Sequence, residues 1–349
     1  MADVHIRKEG RAGRITLTRA TALNALSYAM CLAIDAALRA WAEDDDVAVV
    51  IVDAEGDKAF CAGGDIAEMY STGRAGDFGY GRSFWADEYR MNARLAEYEK
   101  PIISFLQGFV MGGGVGLGCH VSHRVVCETT QIAMPECAIG LIPDVGGTYL
   151  LARAPGHMGA YLGLTGARLG PGDALFTGFA DHFLSYERWD AAKAILVASG
   201  DVTRLPQDTA PPARLEQHQD IVNQAFAARR VEQIDAALAK MNDNFAERCL
   251  KALRQNAPLS MACTLEILRH RESALSIRSA LTQEYRFTWR SMENADFLEG
   301  IRAAIIDKDR RPKWKHASEA EVSDTEISEM LAPLGANELD FNQTREGGA

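Results

Sequence analysis

Two carboxylates, Glu136 and Asp144, are the side chains of this sequence best suited to chemistry. Glu136 follows Pro135, Asp144 follows Pro143, and glycines flank both turns. A carboxylate can act as a general base toward water, as a proton donor, or as a nucleophile toward an acyl carbon. Each acid also has a structural alternative. Glu136 could interact with a helix N-terminus, and Asp144 could cap a helix over residues 145–153.

Two glycine-rich turns offer backbone N–H donors. One is FCAGGD, which contains Ala62 and Gly63, and the other is MGGGVG, which contains Gly113. Each turn follows an apolar run that is typical of a strand. Two such donors aimed at one point form an oxyanion hole, which stabilises the charge that develops on a carbonyl oxygen. The alternative is that the glycines only allow close packing between a helix and a strand.

Motifs for other chemistries are missing. His120 and His123 lie near Cys119 and Cys127 without a known metal-ligand spacing, so we interpret the histidines as structural. The sequence has no GxxxxGK[ST], GxSxG or HExxH motif. We therefore predict no metal site and no cofactor. Glu88 lies in a helical pattern, and its spacing alone favours an acid on the surface.

The elements that must position these residues alternate between strands and helices. Ser27 is a plausible N-cap for a first helix, and Asp65 is expected to open another. Residues 71–82 are predicted to be a glycine-rich loop, followed by a helix over residues 84–98. Apolar or alternating runs predict strands at residues 4–7, 14–17, 47–52, 101–106 and 124–128. This order predicts an α/β fold with glycine turns at the carboxyl ends of strands, where ligand sites collect.

Composition narrows the class of protein. The chain has 349 residues, of which 47% are hydrophobic, so a large core can form. A net charge of −11 argues against a nucleic-acid-binding surface. Seven cysteines without a CxxC pair indicate reduced thiols. No signal peptide or membrane span is apparent, which predicts a cytoplasmic protein, or one of the mitochondrial matrix after processing.

A polar, proline-rich stretch suggests a boundary within the chain. Residues 201–214 contain DVTRLPQDTAPPA and are predicted to be a linker. Residues 1–200 would then form the α/β core that carries the site. Residues 215–349 would form a helical C-terminal region with a frayed acidic end.

The motifs resemble those of a known family. AFCAGGDI at 59–66 and GFVMGGGVGLG at 108–118 resemble the crotonase (enoyl-CoA hydratase/isomerase) superfamily. MPECAIGLIPDVGGTYLL at 134–151 is similar to the 3-hydroxyisobutyryl-CoA hydrolase branch, as is FLEGIRAAIIDKDRRPKWKHA at 297–317. The resemblance extends from about residue 24 to residue 315.

The resemblance implies a fold and an activity. The fold would be a spiral of ββα turns with a helical C-terminal region that often mediates self-association, here as a trimer-type homo-oligomer. The activity would be hydrolysis of a short hydroxyacyl-CoA thioester, such as 3-hydroxyisobutyryl-CoA in valine degradation, with CoA as part of the substrate. The alternative is an enoyl-CoA hydratase or isomerase acting on a short acyl-CoA.

The same resemblance implies roles for individual residues. The N–H groups of Ala62 and Gly113 would form the oxyanion hole. Glu136 matches the catalytic glutamate, Asp144 the second acid of the hydrolase branch, and Glu88 an acid of its substrate pocket. Further residues are expected to bind the substrate: Leu26, Gly63, Gly64, Asp65, Ile66 and Gly112.

One position departs from the hydratase pattern. Hydratases typically carry a further glutamate just after the glycine triplet, where this chain has Gly116. Hydration needs two acids to handle one water and an alkene, so the departure favours hydrolysis. A basic run later in the chain is either a solvated face or a contact for the CoA phosphates, through Lys308, Arg310 or Lys313.

Overall fold

The computed structural model describes residues 3–343, apart from the side chains of residues 271 and 272. The strands are β1 Val4–Glu9, β2 Ala12–Leu17, β3 Val49–Ala54, β4 Ala59–Cys61, β5 Ile102–Leu106, β6 Phe109–Met111, β7 His123–Val126, β8 Gln131–Ala133 and β9 His182–Phe183. The first α-helices are α1 Tyr28–Ala42, α2 Ala67–Arg74, α3 Gly79–Ala96, α4 Gly113–Gly118, α5 Gly147–Arg153, α6 Met158–Thr165, α7 Pro171–Phe176 and α8 Trp189–Ser199. The later ones are α9 Gln219–Ala225, α10 Val231–Leu238, α11 Asn244–Leu253, α12 Pro258–Arg269, α13 Arg271–Leu275, α14 Ile277–Asn294, α15 Phe297–Ile301 and α16 Asp324–Leu331.

A six-stranded sheet forms the larger layer, in the order β1-β2-β3-β5-β7-β9. β1 and β2 form an antiparallel hairpin, and the other neighbours in the sheet pair in parallel. Parallel strands covered on both faces are almost continuously apolar, as β3 and β5 are here. The strands predicted from the sequence are confirmed, with bounds that differ by a few residues.

A second sheet of three parallel strands, β4-β6-β8, supports the site. Each pair β3/β4, β5/β6 and β7/β8 places its first strand in the large sheet and its second in the small one. Gly108 makes one of these turns with φ +56°, and a Cβ there would lie 2.1 Å from the Lys58 carbonyl oxygen. The fold is therefore the α/β arrangement of ββα turns that the sequence predicted.

The first helices confirm one local prediction and correct another. Ser27 caps α1, since its Oγ accepts from the Met30 N–H. The predicted loop over residues 71–82 is wrong, because α2 ends at Arg74 and α3 begins at Gly79. Two glycines of this stretch, Gly73 and Gly81, serve helix packing. A Cβ on Gly81 would lie 2.1 Å from the Met292 Cε.

The C-terminal region is helical, and one core cluster of buried residues extends from Ile15 to Leu339. In the predicted linker, Asp208 N–H donates to the carbonyl of Phe183, and the boundary at residues 201–214 stays a prediction. The predicted fraying does not reach α16, where Ser323 and Glu326 form a capping box. Residues 344–349 lie outside the described residues. Within residues 3–343, the helices are too short or too polar to cross a membrane.

Candidate active site

A cavity of about 310 Å³ opens where β4, β6 and β8 end, a volume within the range of small-ligand sites. Because parallel strands deliver their carboxyl ends to one edge, these strands bring three distant segments of the chain together. The cavity is lined by residues predicted from the sequence, namely Ala62, Gly63, Gly64, Ile66, Glu88, Gly112, Gly113, Glu136 and Asp144. Apolar side chains form the rest of the wall, including Met69, Phe84, Trp85, Leu141 and Phe297.

One of the predicted oxyanion-hole donors is corrected by the structure. The Ala62 N–H donates to the Leu23 carbonyl oxygen at 3.0 Å, so it is already occupied. The Gly64 N–H has no acceptor among the described residues, and its nitrogen lies 3.3 Å from where a Cβ on Gly113 would be. Gly113 begins α4, where the first N–H groups of a helix lack partners within it. The free donors in the cavity wall are therefore the N–H groups of Gly64 and Gly113.

Glu136 enters the cavity from a 3-10 turn that follows β8, and it is 5% exposed. Its Oε1 lies 2.9 Å from the position of a Cβ on Gly112, and Gly112 has φ +49°. A side chain at that position would therefore be strained and would press on the carboxylate. Within residues 3–343, Glu136 Oε2 has no hydrogen-bond partner, which leaves it available to a bound substrate or water.

Glu88 is a pocket acid, and the expectation of a surface acid from its spacing is wrong. It lies on α3 and is only 4% exposed. Its Oε1 is buried without a partner among the described residues and lies 3.0 Å from the position of a Cβ on Gly113. The absence of a side chain on Gly113 therefore allows Glu88 to approach the oxyanion-hole segment.

Asp144 is buried beside the cavity and does not cap a helix. α5 begins at Gly147 with Gly146 as its cap, and the Asp144 side chain is engaged elsewhere. The Tyr89 hydroxyl donates to Asp144 Oδ2 at 2.7 Å. The next residue, Val145, has φ +54°, which is strained for a β-branched side chain. Strain of this kind persists only where surrounding contacts hold the backbone.

Two distant side chains hold the turn after Asp144. Glu284, on α14, accepts from the Gly146 N–H at 2.8 Å and from the Thr148 N–H at 2.9 Å. The ring of His120 bonds the Val145 carbonyl oxygen through Nε2 at 2.8 Å. Sequence reasoning missed Glu284 as a functional residue, because it lies in an ordinary helical pattern far along the chain and carries no local signal.

The position of the second hydratase acid is closed. A Cβ on Gly116 would lie 2.7 Å from the Val145 Cβ and 2.9 Å from the Asn92 Nδ2. The strained turn that presents Asp144 therefore fills the space that a side chain at position 116 would need. In this packing, the turn that carries Asp144 and a glutamate side chain at position 116 cannot both be accommodated.

Burial and mutual repulsion favour the protonated forms of these acids. Burial raises the pKa of Asp144 to about 7, although the hydrogen bond from Tyr89 opposes this. Burial raises the pKa of Glu136 and of Glu88 well above the usual value, and the charge of Asp144 raises both further. A charge on Asp144 therefore opposes ionisation of the other two acids.

Two residues predicted to bind substrate lie outside the lining and support it from behind. Leu26 is fully buried, and its N–H donates to the Gly63 carbonyl oxygen at 2.9 Å. Asp65 does not open α2, which begins at Ala67. Its N–H donates to the Leu26 carbonyl oxygen at 2.8 Å, and its carboxylate pairs with Arg19 at 3.0 Å. Both residues therefore fix the loop that presents the Gly64 donor.

The arrangement as a whole suits chemistry at an acyl carbon. Two neighbouring N–H donors would stabilise an oxyanion, and three carboxyl groups surround the same cavity. The described residues include no group of three or more His, Cys, Asp or Glu side chains placed to hold a metal ion.

Comparison with known proteins identifies relatives along almost the whole chain. The family model described as enoyl-CoA hydratase/isomerase matches residues 12–331. The mitochondrial 3-hydroxyisobutyryl-CoA hydrolase of Gallus gallus is 38% identical over 351 residues, covering 97% of this chain and 91% of that protein. The protein of the same name from Homo sapiens is 37% identical over 352 residues, with the same coverage.

Solved structures with the same fold carry different descriptions. A protein from Rhodobacter sphaeroides 2.4.1, described as an enoyl-CoA hydratase, is 56% identical, with a TM-score of 0.95 over 97% of this chain and 100% of that one. A protein from Mycobacterium thermoresistibile, described as a carnitinyl-CoA dehydratase, is 38% identical, with a TM-score of 0.93 over 99% of this chain and 100% of that one. The descriptions of these relatives therefore divide between hydrolysis and hydration.

Proposed function

The chain belongs to the enoyl-CoA hydratase/isomerase family, and we propose that within this family it hydrolyses a short hydroxyacyl-CoA thioester. The curated relatives are named for 3-hydroxyisobutyryl-CoA, which is the substrate to test first. The choice of hydrolysis over hydration rests on the packing of Gly116 against Val145, which leaves no room for a second hydratase acid. Such a protein would act in valine degradation and release 3-hydroxyisobutyrate and CoA.

The oxyanion hole would hold the thioester carbonyl. Its oxygen would accept from the Gly64 and Gly113 N–H groups, which places the acyl carbon beside Glu136 and Asp144. Attack at that carbon moves an electron pair onto the oxygen, and the two donors stabilise the resulting charge. The tetrahedral intermediate then expels the CoA sulfur as the carbonyl re-forms.

Two routes deliver the attacking oxygen. In the first, Glu136 loses its proton, attacks the acyl carbon and forms an anhydride, which water then cleaves. In the second, water attacks directly and gives one proton to a carboxylate. A charge on Asp144 raises the pKa of Glu136, which favours the second route with Asp144 as the acceptor. Protonated Glu136 could then give its proton to the departing CoA thiolate.

Labelled water separates the two routes. A single turnover in ¹⁸O-water, followed by mass spectrometry of the peptide that contains Glu136, reports whether the label enters that carboxyl group. Label in Glu136 requires an anhydride. Label confined to the released hydroxy acid is the result expected for direct attack by water.

The loop at the mouth of the cavity is proposed to contact the CoA phosphates. Ile305 lines the cavity, and the loop follows it directly. Asp307 and Asp309 both pair with Arg302, and within residues 3–343 no ion pair joins an acid to Lys308, Arg310 or Lys313. Changing Lys308, Arg310 and Lys313 to Ala should raise KM for CoA esters but not for short pantetheine esters. Lys251→Ala, on the exposed face of α11, is the control, and equal effects on both esters would refute the contact.

Three further parts of the proposal concern metal dependence, oligomeric state and location in the cell. We expect thiol release to survive a metal chelator, because the chemistry above uses only carboxyl and N–H groups. Self-association through the C-terminal helices is expected, and light scattering coupled to gel filtration would report the mass. A cytoplasmic location, or the matrix in a eukaryotic source, is expected, and cell fractionation would test it.

Hydration is the second candidate, since the protein described as an enoyl-CoA hydratase is 56% identical to this chain. Hydration of crotonyl-CoA lowers the absorbance of its conjugated thioester and releases no thiol. A thiol reagent and an absorbance measurement on the same samples therefore distinguish the two reactions.

A further inference from the structure

Within residues 3–343, the hydroxyl of Tyr89 is the side-chain group that donates a hydrogen bond to the carboxylate of Asp144. Tyr89 follows Glu88 on α3 and is fully buried. Its hydroxyl donates to Asp144 Oδ2 at 2.7 Å, and it is absent from the lining of the cavity. Tyr89 is therefore placed to act on Asp144 without touching the substrate.

We propose that Tyr89 is a positioning residue for Asp144, holding one carboxylate oxygen so that the other faces the substrate cavity. This role rests on the proposed hydrolase function, in which Asp144 takes a proton from water or orients it. Without the hydroxyl, the Asp144 side chain could rotate, and its carboxylate would lose a donor in a buried setting where such a loss is costly.

The surroundings of both residues make this contact decisive for the orientation of Asp144. The backbone after Asp144 is held from the far side, since His120 bonds the Val145 carbonyl and Glu284 accepts from the Gly146 N–H. The ring of Tyr89 packs edge-on against Tyr285, with centroids 6.0 Å apart. With the backbone and the ring both fixed, the remaining freedom is rotation of the carboxylate, and the Tyr89 hydroxyl restrains it.

Tyr89 also influences when Asp144 ionises. Besides Tyr89, four titratable side chains surround Asp144. Three are acids, namely Glu88 on α3, Glu136 on the 3-10 turn and Glu284 on α14. The fourth is His120, which follows α4. Burial lowers the pKa of His120 to about 4, so this ring is neutral and supplies no positive charge. The hydrogen bond from Tyr89 lowers the pKa of Asp144 against the effect of burial. Removing the hydroxyl should therefore make Asp144 hold its proton to a higher pH.

The pH dependence of thiol release from 3-hydroxyisobutyryl-CoA tests the proposal. We expect the acid limb of kcat in Tyr89→Phe to move up by about one pH unit, as the loss of a hydrogen bond to a charged acceptor implies. Activity at pH 6 should fall about tenfold, whereas at pH 9 it should stay within about threefold of wild type. KM should change little, because Tyr89 does not line the cavity.

Tyr98→Phe is the matched control. It removes a hydroxyl that donates at 2.6 Å to the Leu38 carbonyl oxygen, away from Asp144. Its acid limb should coincide with that of wild type. The proposal would be overturned if the acid limb of Tyr89→Phe coincided with those of wild type and Tyr98→Phe. It would also be overturned if Tyr89→Phe lost activity by the same factor at all pH values.

If Tyr89→Phe does not fold, replacing tyrosine by a fluorinated tyrosine tests the same hydrogen bond. Global incorporation of 3-fluorotyrosine, a stronger donor of nearly the same size, should move the acid limb of the enzyme down in pH. A limb that does not move on labelling would contradict the proposal without any substitution at position 89.

Infrared spectroscopy separates failure of this inference from failure of the proposed function. The difference between wild type and Asp144→Asn isolates the C=O stretch of the protonated Asp144, and its loss with pH gives the titration without any substrate. The midpoint should rise by about one unit in Tyr89→Phe even if no thioester is hydrolysed. An unchanged midpoint refutes the role of Tyr89, while absent thiol release in wild type refutes the hydrolase function alone.

Discussion

Deleting the Gly64 N–H tests the corrected oxyanion hole. Gly64→Pro removes this donor, whereas Gly64→Ala keeps it and serves as the matched control. A Cβ on Gly64 meets nothing closer than the Ile66 Cγ2 at 3.8 Å, so Gly64→Ala has space at this position.

The expected magnitude follows from the number of donors. The proposed oxyanion hole has two N–H donors, from Gly64 and Gly113, and loss of one oxyanion-hole donor typically costs ~3 kcal/mol, or 10²- to 10³-fold in kcat. We expect a loss of at least this size in kcat/KM of Gly64→Pro, because the ring removes the donor and its Cδ takes the place of the N–H hydrogen. Gly64→Ala should retain kcat/KM within about threefold.

The assay is steady-state thiol release from 3-hydroxyisobutyryl-CoA with a colorimetric thiol reagent. Thermal unfolding of each variant establishes that the comparison is made between folded proteins. A folded Gly64→Pro variant with the kcat/KM of Gly64→Ala would refute the reasoning. The assignment of the free donor to Gly64, and of Ala62 to a structural bond with Leu23, would then be wrong.

Two further predictions concern the turn that carries Asp144. Gly116→Ala should lower the free energy of unfolding by about 1–3 kcal/mol in a urea titration, because its Cβ would overlap Val145. Gly116→Glu should not gain the ability to hydrate crotonyl-CoA. A Gly116→Glu variant that folds and hydrates crotonyl-CoA would contradict this packing. Since the pKa of Asp144 is raised to about 7, its contribution to stability is present at low pH and is lost as pH rises through about 7. Asp144→Asn has no carboxyl group to titrate, so it lacks this loss. The free energy of unfolding of Asp144→Asn minus that of wild type should therefore be about 2–3 kcal/mol larger at pH 8 than at pH 5. A difference that does not change with pH would contradict the raised pKa.

The sequence was informative wherever a local pattern determines the structure. Apolar β-branched runs predicted β3 and β5, and Ser27 was recognised as a cap from its place before a helical repeat. The glycine turns and the two proline-flanked acids were placed at one site, since parallel strands end at one edge. These features depend on neighbours in the chain, or on a general rule of sheet topology.

The errors arose where long-range packing decides the outcome. Gly73 and Gly81 were interpreted as signs of a loop, but each lies in a helix where Leu298 or Met292 approaches closely. Glu88 looked like a surface acid, because helical spacing does not reveal which face a helix buries. The choice between the Ala62 and Gly64 donors depended on Leu23, whose carbonyl takes one N–H and leaves the other free.

Thiol release from 3-hydroxyisobutyryl-CoA and from crotonyl-CoA, with wild type, Glu136→Ala and Asp144→Ala, tests the central claim most directly. Rapid release from the first substrate alone, lost in both variants, is the result predicted for a hydroxyacyl-CoA hydrolase that uses both acids. No release from either substrate, with a fall in the absorbance of crotonyl-CoA instead, would contradict the claim and establish hydration despite Gly116.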